Sequence, residues 1–209
     1  MPGTMSQADL VADLKASMPG SDVVFSAPAD ADYIRQLDAA ALDFSRVRPR
    51  TLVGAVTLSA DISEYDAPGD LVRLKFPLWG INEKRARKPW ESNYPGRLPR
   101  AYIVQGATGL QLSLEPAPNA AQIADLGSSY KFYYFAAHTI DTNATNTTIL
   151  PADRGLLLLR AQAEAMKELA ARNSHKPVKM RDGMNSTPRN GTPAALYEQL
   201  MDAFEAQVR

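Results

Sequence analysis

The spacing of apolar positions changes twice along this chain. Leu10, Val11, Leu14 and Met18 fall on one face of a 3.6-residue period, which predicts a first helix. Ser6 and Asp9 mark its start with capping-box spacing, Asp standing in for the usual Glu, and Pro19-Gly20 ends it. Tyr33, Ile34, Leu37, Ala41, Phe44 and Val47 predict a second helix from about Asp30 to Arg48, stopped by Pro49. Both helices are short enough to need tertiary packing. From Leu52 to Leu58 the run becomes strand-like, and Tyr65 to Asp70 reads as a turn. Beyond it Val72, Leu74 and Phe76 alternate with Leu71, Arg73 and Lys75, the mark of a half-buried strand. Tyr102–Val104 and Leu110–Leu114 flank Gly106–Gly109 as a hairpin, and Tyr130–His138 is an aromatic-rich strand. These segments predict one antiparallel sheet of about four to six strands.

Helical spacing then returns. A Thr- and Asn-rich loop, 144–150, leads to Pro151 and a long helix over about Ala152–Arg172. Leu156, Leu159, Ala163, Met166 and Ala170 form its buried stripe, widened by Leu157, Leu158 and Leu169. Lys176–Thr192 is basic, polar and broken by Gly and Pro, so it reads as an extended linker. A last helix follows, with Thr192 as cap, Pro193 in the first turn, and Leu196, Leu200, Ala203 and Phe204 on one face. The expected fold is α+β: a helical bundle core with an inserted antiparallel β-sheet domain and a C-terminal tail helix. Residues 1–50 and 143–176 supply the core and 51–142 the β domain, which carries a basic loop at 82–100. Residues 177–209 form the linker and a docking helix.

Composition narrows the class. A length of 209 residues fits one domain carrying a sizeable insertion. With no cysteine there is no disulfide, zinc–thiolate site or cysteine nucleophile. No apolar run approaches the roughly 18 residues of a membrane span. Met1-Pro-Gly-Thr-Met-Ser has no basic-then-apolar pattern and does not read as a signal peptide. The net charge is zero, but residues 1–70 hold 11 acidic and 5 basic side chains and the remainder 12 and 18. That asymmetry suits head-to-tail self-association, and it equally suits two separately solvated halves.

Candidate chemistry is sparse. His138 and His175 have no helical histidine partner, so His138 is expected to pack at its strand end and His175 to lie exposed. No Gly-x-Ser-x-Gly elbow or phosphate-cradling glycine loop occurs. Asp30, Asp32, Asp38, Asp43, Asp61, Glu64, Asp66 and Asp70 fall at helix starts, solvated faces and turns, where carboxylates serve local needs. The sequons at Asn143, Asn146, Asn185 and Asn190 are coincidences of Asn/Thr-rich loops. No catalytic, metal or cofactor-binding residue is assigned.

The strongest functional flag is 82–100, where Lys84, Arg85, Arg87, Lys88, Arg97 and Arg100 interleave with Trp90 and Tyr94. Such a segment can stack on single-stranded nucleic acid or anchor a protein interface. Alternatively, its Trp and Tyr merely pin a loop to the sheet. A second flag is 177–209. Lys179, Arg181 and Arg189 lie in the linker, and Leu196, Tyr197, Leu200, Met201 and Phe204 lie on the helix, the form of a tethered helix that docks in a partner's groove. Folding back onto its own core is the other outcome.

Several of these segments, in order, resemble a family of tailed-bacteriophage head-to-tail adaptor (connector) proteins. They are the turn Tyr65-Asp66-Ala67-Pro68; Pro99-Arg-Ala-Tyr102 followed by Leu112-Ser-Leu-Glu-Pro116-Ala-Pro118; the strand Tyr130–His138; and Thr148-Ile-Leu-Pro151-Ala-Asp153 before an Ala/Leu helix. The resemblance spans nearly the whole chain. It implies a non-enzymatic virion protein at the head–tail junction, assembled in the host cytoplasm. It implies a ring of about twelve neighbouring copies, docked on the portal protein and joined to a tail or neck protein. That ring would line the channel crossed by genome DNA, without sequence-specific binding, cofactor or membrane contact. It also favours portal attachment by the C-terminal helix. Alternatives are another neck component, such as a tail terminator or stopper, and a nucleic-acid-binding protein using the basic loop.

Overall fold

The computed structural model describes residues 4–107, 109–173 and 192–208. In chain order the elements are α1 (Gln7–Ser17), α2 (Ala31–Val47), β1 (Arg50–Thr57), β2 (Glu64–Asp66), β3 (Leu71–Pro77), α3 (Ile81–Ala86), β4 (Arg100–Gln105), β5 (Leu110–Glu115), α4 (Ala120–Leu126), β6 (Ser129–Ala136), α5 (Arg154–Asn173) and α6 (Pro193–Val208). The chain is thus mixed helix and sheet, with two antiparallel sheets and a C-terminal helix. It divides into two compact units, Met1–Arg48 with His138–Arg209, and Pro49–Ala137.

In the first unit, α1 starts where its cap dictates. The Ser6 hydroxyl accepts the Asp9 amide at 3.2 Å, while the Asp9 carboxylate takes the Thr4 amide at 3.0 Å in place of the reciprocal bond to Ser6. Leu10 and Leu14 of α1, Tyr33, Leu37 and Phe44 of α2, Leu157 of α5 and Phe204 of α6 are buried in one apolar cluster, with Ile149 from the preceding loop.

The expected single stripe on α5 is corrected: this helix is covered on most of its circumference. Leu156, Leu157, Ala161, Ala163 and Ala165 are buried, as are Arg154 and Arg160, and Leu158, Leu159, Met166 and Leu169 are partly buried. Those two charges are tolerated because they are paired. Arg154 reaches Asp13 of α1 at 2.9 and 2.6 Å and also the Thr4 and Asp9 carbonyls. Arg160 donates to Asp43 of α2 at 2.8 Å and to Glu164 at 3.1 Å. In the last turn, Arg172 binds Glu168 at 2.6 Å and Asp32 at 3.3 Å, donates to the Val24 carbonyl at 2.6 Å and lies over the Phe25 ring.

The strands form two three-stranded sheets, β1-β6-β3 and β2-β5-β4, in place of the one sheet expected. β1 and β6 pair residue for residue from Arg50–Ala136 to Thr57–Ser129. The inner faces share a core of Leu58, Leu71, Trp79, Leu112, Leu114, Tyr130, Phe132, Tyr134 and Ala136. Trp79, Tyr130, Phe132 and Tyr134 stack in sequence, with ring centroids 5.8, 6.2 and 5.9 Å apart. Gly54, opposite Phe132, has no room for a side chain, since a Cβ there would lie 2.6 Å from the ring. His138 does not end the aromatic strand. β6 stops at Ala136, and His138 belongs to the helical unit, where its amide donates to Ser45 Oγ at 2.8 Å. Its ring lies 2.9 Å from the Arg48 carbonyl and packs edge-on against Phe44.

The Tyr130 hydroxyl is buried with no hydrogen-bond partner among the described residues, and burial pushes its phenol up to about 12. Removing an unsatisfied group costs nothing, so Tyr130→Phe is expected to leave stability unchanged or raise it by about 1 kcal/mol. Gly54→Ala is expected to lower it by about 1–3 kcal/mol through overpacking. Thermal denaturation of the two variants tests this, and an equal loss in both would contradict the packing described.

Candidate interaction surfaces

Among the described residues no group of three or more His, Asp or Glu is placed to hold a metal ion. His175 lies outside those residues. Several first-half carboxylates are engaged by cations: Asp30 by Lys15 at 2.6 Å, Asp32 by Arg35 at 2.7 Å, and Asp43 by Arg160. The hydrogen bond from Arg35 holds the Asp32 carboxyl below its ordinary range, with Arg172 adding to the effect. At Glu168 burial pushes upward, but hydrogen bonds from Arg35, Gln36 and Arg172 outweigh it and the net shift is downward. Both groups are held as carboxylates, an arrangement that ties α2 to α5.

The basic segment expected as a loop over 82–100 is in part helical. It opens with the short helix α3, where Lys84 and Arg85 sit in the last turn, favourably placed for the helix dipole. Arg87 turns inward, pairs with Asp125 of α4 and donates to the Asn93 carbonyl at 2.6 Å. Gln122 of α4 donates to the Pro95 and Arg97 carbonyls at 2.9 and 3.0 Å, and two turn bonds, Glu91 to Lys88 and Tyr94 to Glu91, close the loop. Tyr94 is half-buried in a recess it shares with Asn119, Gln122 and Asp125. The two aromatics therefore part company: Tyr94 pins the loop, whereas Trp90 stays 80% exposed on it. Arg85, Lys88 and Arg97 are exposed as well.

A second surface was not legible from the sequence. On β3 the alternation assigned Val72 and Phe76 to the buried face with Leu74. Bulges between Leu71 and Arg73 and between Leu74 and Phe76 shift the register, so Leu71 and Leu74 turn inward while Val72 and Phe76 are exposed. The outer face of β1-β6-β3 then displays Val53 (56% exposed), Phe76, Tyr133 and Phe135. Phe76 lies against Tyr133 at 4.9 Å, and Arg73 and Lys75 lie over the Phe135 ring at 4.9 and 5.2 Å. Lys131 lies on the same face. The run Tyr-Lys-Phe-Tyr-Tyr-Phe of β6 held the clue, because aromatics at successive positions must occupy both faces.

The C-terminal helix is not a free docking stripe. Phe204 is 4% exposed and Met201 packs beside it on the helical core, so the expectation that both face a partner is corrected. Burial of their apolar surface against α5 supplies the reason. Leu196 remains exposed, and Tyr197 and Leu200 are half-buried. Lys179, Arg181 and Arg189 lie outside the described residues. Between α2 and α6 runs a groove of about 500 Å³, lined by Val47, Met201, Phe204 and Val208 with Asp43, Arg46 and Glu205 at its edge.

Comparison with protein-family models gives no match, and no curated protein matches the chain.

Because Asp32 and Glu168 have lowered folded-state pKa values, the stability they contribute is complete above the ordinary carboxylate range. It is lost as pH falls through the lowered values. The melting temperature is expected to be flat between about pH 7 and 5 and to fall below about pH 4.5. Arg172→Ala is expected to make that fall shallower and to lower the plateau, as thermal melts across pH would show.

Proposed function

We propose that the chain is a structural virion protein, a head-to-tail adaptor of a tailed bacteriophage. Copies of it form a ring of about twelve that docks on the portal, receives the next neck or tail protein and lines the DNA channel. In this reading a helical bundle is the constant core and the inserted sheet unit carries contact surface. The observation that carries it is the uncovered aromatic and cationic face of β1-β6-β3. A face with Val53, Phe76, Tyr133 and Phe135 outward and Arg73, Lys75 and Lys131 among them is an interface in search of cover. The ordered motifs shared with the adaptor family support the assignment of that interface to a ring. The inward turn of Arg87 leaves fewer free cations for nucleic acid than the sequence suggested, which favours a protein partner.

The copy number of this chain in purified particles, by quantitative mass spectrometry, tests the proposal. About twelve copies per particle is the expected result. Six would favour a terminator or stopper, and absence from particles would end the virion reading. The double variant Arg73→Glu, Lys75→Glu changes exposed side chains only. It is expected to fold normally and to be incorporated at least about tenfold less well.

A further inference from the structure

We propose that the cationic outer face of β1-β6-β3 packs against the acidic outer face of β2-β5-β4 on a second copy of this chain. The inference rests on the assembly reading above and names the surface that covers the aromatic face. Both faces belong to one unit, and they lie on opposite sides of the core that the two sheets share. The first face turns Arg73, Lys75 and Lys131 outward, and its three strands contain no Asp or Glu. In the second sheet Tyr65, Ala101, Ile103, Leu112 and Leu114 point into the core. Strand alternation therefore puts Glu64, Asp66, Glu115 and Arg100 on the outer side, where all four are exposed. Arg100 stands opposite Glu115 in the register, so Glu64 and Asp66 have no base beside them on these strands.

Both sets of charges are free to meet a partner. Among the described residues, the side chains of Glu64, Asp66 and Glu115 make no salt bridge or hydrogen bond. Arg73 and Lys75 have only the Phe135 ring beneath them, and Lys131 has no acidic partner. Each face also leaves apolar side chains in water: Val53 and Phe76 on the first, Tyr102 and Val104 on the second. Covering those side chains supplies affinity, and the charges decide which face meets which. Two cationic faces repel, as do two acidic ones, so copies pair head to tail. A contact between opposite sides of one core is heterologous. It leaves one face of each sign open at the ends of every pair, so it repeats from copy to copy, as ring closure requires.

Charge exchange between the two faces tests the contact. Self-association of the full-length chain at low ionic strength is measured by sedimentation velocity. One variant carries Arg73→Glu with Lys75→Glu, the other Glu64→Lys with Asp66→Lys. Each alone is expected to associate at least about tenfold more weakly than the unaltered chain. Their equimolar mixture is expected to recover the unaltered affinity to within about threefold, because the intact acidic face of the first meets the intact cationic face of the second. All four altered side chains are exposed, so both variants are expected to melt as the unaltered chain does. The single exchanges Lys131→Glu and Asp66→Lys give the same pattern at smaller amplitude, and they replace a double variant that fails to fold. An unaltered chain that stays monomeric overturns the proposal. So does a variant that associates undiminished, or a mixture no tighter than its components. About twelve copies per particle without this association would remove the contact and leave the adaptor reading standing. Association restored by mixing, in a chain absent from particles, would do the reverse.

Discussion

The pairing of β1 with β6 is the constraint on which the remaining architecture depends. The chain leaves the helical unit after Arg48 and returns at His138, with 89 residues, Pro49–Ala137, between them. Closing so long a loop costs entropy that grows with its length, and an unbroken antiparallel ladder from Arg50–Ala136 onward offsets that cost at the point of closure. On the helical side His138 secures the returning chain through Ser45 and the Arg48 carbonyl, so its hydrogen-bonding capacity is spent on structure. With both ends fixed, each unit keeps its own core: one around α5, the other around the aromatic stack of β6.

Within the helical unit the controlling element is α5. Its arginines at 154, 160 and 172 reach α1, α2 and the Val24–Phe25 turn respectively, each through a charge-assisted bond. Three pairs on one helix do more than add stability. Arg154 and Arg160 are buried and would lose their partners Asp13 and Asp43 if α1 or α2 packed in another register, so these two pairs select one arrangement among the many that apolar stripes alone allow. The apolar contacts supply most of the driving force, and the arginines decide how it is used.

The β unit separates its two faces by the same logic. Inside, Gly54 yields space to Phe132, and Trp79 donates to the Gly127 carbonyl at 2.9 Å. Outside, the same three strands present aromatics with only Arg73 and Lys75 laid over them. An aromatic ring under a cation is soluble as long as nothing better covers it, and a partner can displace the cations onto its own carboxylates. Surfaces of this kind suit a protein whose work is to be built into something larger, which is the role proposed for it.

Local periodicity by itself determined the helices of the core, the β segments between them except β2, whose Tyr65 and Asp66 read as part of a turn, and the start of α1 at Ser6. Each is set by neighbours three to four residues away or by alternate residues along a strand, and such signals survive in a single sequence. The division of six strands into two sheets, the outward turn of Val72 and Phe76, and the burial of Arg154 and Arg160 on α5 were decided only by tertiary packing. A bulge adds one residue to one strand of a pair, and nothing in the run Leu71–Pro77 itself announces where its partner will let it slip. The candidate surface followed the same division. The sequence marked Trp90 and Tyr94 as a pair without distinguishing them. Only α4, brought alongside by the fold, took Tyr94 and Arg87 for itself and left Trp90 to solvent.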